Sequence, residues 1–145
     1  MKKIILSQFV LLFLFVSAFA EDFKSPEEAV KKLAAYTVAD IEGDQLRLKE
    51  HKDLKIDDMF NDLENAAKYL EKNPLTEDLA YQMGRVTVIT FINDPSAFAV
   101  DLILPAYQKN KKLFEKAAKR LHSYDRTLLL ETLKSHDQAL TEGNG

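Results

Sequence analysis

The sequence predicts an all-α fold: a compact bundle or stack of hairpins, five to six helices in all, behind a cleaved signal peptide. Three observations predict it. Apolar residues recur at three- and four-residue spacing along most of the chain after residue 20. Prolines and capping residues punctuate that pattern at short intervals. The one strand-like run, Val86-Thr87-Val88-Ile89-Thr90-Phe91-Ile92, has no second run to complete a sheet.

The N-terminus reads as an export signal. Lys2 and Lys3 precede an apolar stretch that is unbroken from Phe9 to Val16, and Ser17-Ala18-Phe19-Ala20 then offers a small-x-small cleavage site before acidic Glu21-Asp22. A membrane-spanning anchor wants about 20 apolar residues, and this stretch is shorter and ends at the processing site. The expected organisation is therefore a leader over 1–20 and a single helical domain over 21–145, frayed over 141–145. Two lysines in place of a twin-arginine pair predict export as an unfolded chain, to the periplasm or beyond it. The sequence contains no cysteine, which excludes a lipid-modified cysteine, a disulfide framework, thiolate metal sites and a cysteine nucleophile.

Each helix has its own signals. Ser25-Pro26-Glu27-Glu28 is a capping box with proline at the first helical position. Val30, Leu33, Ala34, Thr37, Val38 and Ile41 continue the period toward a stop at Gly43. Residues 44–56 are consistent with a loop, a short helix or a strand. From Asp57 the stripe Met59, Phe60, Leu63, Ala66, Ala67 and Leu70 runs to Asn73-Pro74. A third helix is expected from Thr76 or Glu77 to Ile92, because Leu79, Met83, Val86 and Thr90 keep helical spacing through the β-branched run. Asp94 and Pro95 are the expected cap and first residue of a fourth helix, apolar on nearly every side and so expected in the middle of the fold. Pro105 is expected to kink or restart the chain into a helix ending at Leu121. Leu129, Leu133 and Leu140 mark the last helix. The Asp94-Pro95 hairpin has no second copy at the roughly 33–47-residue spacing of helical repeats.

Charge is uneven. Without the leader the chain carries 18 basic and 23 acidic side chains, and residues 102–145 hold 8 basic against 5 acidic. Lys109, Lys112, Lys116, Lys119 and Arg120, with Lys111 nearby, fall within roughly 100° of one helix face and form the candidate binding stripe for an anionic or acidic partner. The plain alternative is a solvated face. Asp101, the sole charged residue between Pro95 and Leu104, is a candidate buried carboxylate with Arg85 as its partner. Of the acidic residues Asp57, Asp58 and Asp62, Asp58 and Asp62 share a helix face that could offer oxygens to a hard cation, but a glycine-turned calcium loop is lacking, and helix N-termini favour acidic residues such as Asp57 and Asp58 anyway. His51, His122 and His136 have no zinc-pair spacing. Met83 fits core packing better than haem ligation. No nucleophile elbow or phosphate loop is present in the sequence.

These readings point to an exported, non-catalytic helical binding or accessory protein of a bacterial-type cell envelope, with no cofactor, no metal and no nucleic-acid partner. The alternative is a small-molecule or lipid-binding bundle with an apolar cavity near Val86 to Leu104, lined by Phe91 and Phe98 with Asp101 at its edge; a hydrolase ranks below both.

Overall fold

The computed structural model describes residues 22–37 and 55–143. The expected leader, the Val38, Ile41 and Gly43 end expected of the first helix, most of the 44–56 stretch and the final two residues lie outside the described residues. Six α-helices and no strand occur among the described residues: α1 (Pro26–Ala34), α2 (Ile56–Lys72), α3 (Glu77–Thr90), α4 (Phe98–Lys109), α5 (Lys111–Ala118) and α6 (Ser123–Glu142). None is long and apolar enough to cross a membrane.

The centre of the bundle is α3, not α4 as the hydropathy of Ser96 to Leu104 suggested. It packs against all five other helices, and every residue from Met83 to Thr90 is buried. The β-branched run is helical because its polar atoms are satisfied within the helix: the Thr87 hydroxyl donates to the Met83 carbonyl at 2.8 Å and the Thr90 hydroxyl to that of Thr87 at 2.7 Å. Gly84 lets α6 come close. A Cβ there would lie 2.9 Å from Leu129 Cδ2. By contrast α4 keeps a wet stripe through Phe98, Asp101, Pro105 and Gln108, all exposed at helical spacing.

Several boundaries differ from expectation. α1 stops at Ala34, before Thr37 of the expected stripe, where Ala35 and Tyr36 close a tight turn onto the carbonyls of Lys32 and Leu33. α4 starts at Phe98, because the Asp94 carboxylate accepts from the amides of Ser96 (3.0 Å) and Phe98 (2.9 Å) while Ala97 turns the chain at φ 57°. Pro105 does not break α4, which continues to Lys109; the carbonyl that loses its donor belongs to Asp101, an exposed residue on the solvent side of the helix. The break falls at Asn110, whose side chain caps α5 by accepting from Leu113 N at 3.1 Å. At the other end α6 runs through Thr141 and Glu142, with the Thr141 hydroxyl bonded to the Asp137 carbonyl at 2.7 Å. Leu140 does not pack inward; it is 54% exposed.

Candidate functional site

The break at Asn110 divides the basic stripe between two helices. Lys109 belongs to α4, where its ammonium donates to the Leu70 carbonyl at the end of α2. The rest of the stripe lies on α5 and the turn after it. There Lys116 pairs with Glu77 at 2.5 Å and Arg120 with Asp78 at 2.7 Å, both carboxylates in the first turn of α3. The Arg120 guanidinium also lies 3.9 Å from the Tyr81 ring centroid. Lys111 pairs with Asp137 of α6 at 2.5 Å, and Gln108 donates to the other oxygen of that carboxylate at 2.8 Å. These two donors hold the Asp137 carboxyl below its usual range. Lys112 and Lys119 are exposed and carry no ion pair among the described residues.

What the sequence presented as one free stripe is thus a row of three lysines, 112, 116 and 119, spaced four and three residues apart along one side of α5, with its neighbours tied down. The carboxylates that tie them come from α3 and α6. The acidic start of α2 takes no part.

Asp101 is a correction. It is not a buried carboxylate, since 59% of its side chain is exposed, and it pairs with His136 Nδ1 of α6 at 2.7 Å. Arg85 finds other partners. Its guanidinium Nη2 donates to the carbonyls of Tyr36 (2.6 Å), Leu33 (3.1 Å) and Ala34 (3.4 Å), and its Nε donates to Gln82 Oε1 at 2.8 Å. Burial lowers its pKa from the ordinary arginine value. Beside it the Tyr36 hydroxyl donates to Asp62 at 2.5 Å; burial, then this bond, raises the phenol's pKa above the ordinary tyrosine range. Sequence reasoning missed this polar cluster. Its signal was a lone arginine inside an apolar helix, and the acceptors are backbone carbonyls, which no sequence pattern marks.

The remaining candidates are dispersed. Asp57 and Asp58 are exposed and border a shallow, open depression with Lys55 and Ile56, while Asp62 turns inward to Tyr36. No group of three or more histidine, aspartate or glutamate side chains that could hold a metal ion occurs among the described residues. His122 is exposed at the start of α6, His136 faces Asp101, and His51 lies outside the described residues. Phe98 is 47% exposed and meets Phe60 edge-to-face at 5.1 Å, so it does not line an internal space. Met83 is completely buried in the core.

No family model matches this sequence, and no match to it is found among curated proteins or solved structures.

Proposed function

We propose that the chain is an exported, non-catalytic helical binding or accessory protein of the cell envelope, with the α5 face as its contact for an anionic or acidic partner. One observation carries the reading: Lys112 and Lys119 stand exposed and unpaired among the described residues on either side of Lys116, whose own ion pair is 65% exposed on the lysine side. An exposed pair of this kind is worth about 0.2–1 kcal/mol, so Lys116 can exchange Glu77 for an incoming anion at little cost. Three lysines along one side of a helix then meet the partner together.

Two further observations favour a surface over a reaction centre or a cavity. The Asp101 carboxylate that pairs with half-buried His136 is 59% exposed, outside the water-excluded setting that strengthens acid–base and electrostatic catalysis. In the region offered for a ligand cavity, Val86, Ile89, Val100 and Ile103 are completely buried in the shared core, and cores are close-packed.

The test is crosslinking in the intact envelope followed by identification of the captured molecule. The Lys112→Glu/Lys119→Glu variant should lose that product while its far-UV circular dichroism stays unchanged. Equal capture by the variant removes α5 from the reading.

A further inference from the structure

We infer that α1 is a releasable strap: a short helix that detaches from the seam between α2 and α3 in one step while the other helices stay packed, with Arg85 and the Tyr36–Asp62 bond as its latch. Four observations on the same helix lead there.

First, α1 supplies its own N-terminal cap. The Ser25 hydroxyl accepts from Glu28 N at 3.1 Å, and the Glu28 carboxylate accepts from Lys24 N at 2.9 Å. The cap of α1 therefore draws on no other helix, and release breaks no capping bond to the rest of the bundle. Second, its apolar hold is limited: Ala29 and Leu33 are its fully buried side chains, Phe23, Val30 and Tyr36 pack on the core only in part, and Glu27, Glu28, Lys31, Lys32 and Ala35 face water. Few buried apolar side chains mark the elements that open first. Third, its partners are α2 and α3, so its departure leaves the packing of α4, α5 and α6 on the central helix in place.

Fourth, the latch is polar and its chemistry favours reversibility. Arg85, 9% exposed, is held by three carbonyls at the end of α1 and by the Gln82 amide oxygen, all neutral acceptors. A buried cation with no carboxylate partner among the described residues gives up much of its hydration, and the negative end of one helix dipole returns only part of it. When α1 leaves, the guanidinium and the three carbonyls return to water together. That regained hydration offsets part of the burial given up, so the opened form lies closer in free energy than the same apolar area alone would place it. The Tyr36–Asp62 bond acts the same way on the α2 side, with a carboxylate that is 8% exposed in the closed form.

Native-state hydrogen exchange of the purified protein tests this. A nine-residue helix detached from its seam is marginal in water and frays, so the amides of Val30 to Leu33 should exchange through an opening at least about 100-fold more populated than the one that exposes Val86 to Ile89. Arg85→Met removes the clamp outright but endangers the whole fold, so the informative variant is Tyr36→Phe, which deletes one latch bond and keeps the ring. It should raise the α1 opening by roughly tenfold, the worth of one hydrogen bond to a charged group, and leave α3 exchange unchanged. Equal protection of α1 and α3 in the parent protein overturns the strap. So does a Tyr36→Phe effect that is absent, or one shared equally by both helices.

Discussion

Ala97 occupies the left-handed region at φ 57° and ψ 34°, where an L side chain costs roughly 1–2 kcal/mol and glycine almost nothing. The strain is sustained by its neighbour Asp94, whose carboxylate holds the amides on both sides of Ala97. Ala97→Gly should therefore raise stability, by about 1 kcal/mol once the extra freedom of glycine in the unfolded chain is deducted, read as a higher urea midpoint at unchanged slope. A lower midpoint would mean that packing of the methyl group outweighs the backbone strain. Tyr36 gives a residue-scale effect of pH. Its phenol is raised in the folded state above the ordinary value of 10.0, so its contribution is fully present below pH 10 and is lost as pH climbs above that, where the unfolded chain ionises first. Tyr107 is raised in the same direction, by burial and then by Glu115. Tyr36→Phe should flatten part of the alkaline fall in melting temperature, leaving a remainder that Tyr107→Phe removes.

At the scale of elements, the close approach of α3 and α6 at Gly84 is the packing most sensitive to size. Valine at 84 would push against Leu129, Phe114 and Leu121, and overpacking of this kind costs about 1–3 kcal/mol. Alanine would be near neutral, because its gain of about 1 kcal/mol in helix propensity sets off a milder clash with the flexible end of Leu129. Denaturant titration of Gly84→Val and Gly84→Ala checks the pair; equal stabilities would show that the two helices do not approach there. Element identity was legible in the sequence wherever side-chain period spoke to burial. The Ser25 box, the stripe from Met59 to Leu70 and the helical spacing through Val86 all correspond to helices in the structure. Boundaries were less legible, because they depend on tertiary partners: α1 ends where Arg85, 49 residues away from Tyr36, collects its carbonyls. Proline misled in the opposite sense. Pro105 sits on the exposed side of α4, where its missing hydrogen bond is tolerated, and the break passed to Asn110, which offers a cap. The same shift explains why the basic stripe was only half visible: side chains on one presumed helix belong to two, and their carboxylate partners come from α3 and α6, far away in sequence.

For the whole molecule, the separation between what holds the fold and what faces outward sets an expectation about salt. The core is apolar and shared by all six helices, with Leu33, Leu63, Met83, Ile103, Phe114 and Leu129 among its completely buried members. The ion pairs lie on its surface: Lys116–Glu77, Arg120–Asp78 and Lys134–Glu115 are each substantially exposed. Raising the salt from about 0.1 M to about 1 M shortens the screening length from about 10 Å to about 3 Å, which weakens charge contacts between molecules without touching buried apolar area. Melting temperature should accordingly move by only a few degrees across that range, because each exposed pair contributes less than about 1 kcal/mol. Capture of a partner through Lys112, Lys116 and Lys119 should fall steeply over the same interval. The two measurements belong together on one preparation. A melting temperature that drops sharply with salt while capture persists would assign these lysines to holding the helices together, and the contact surface would then have to be sought away from α5.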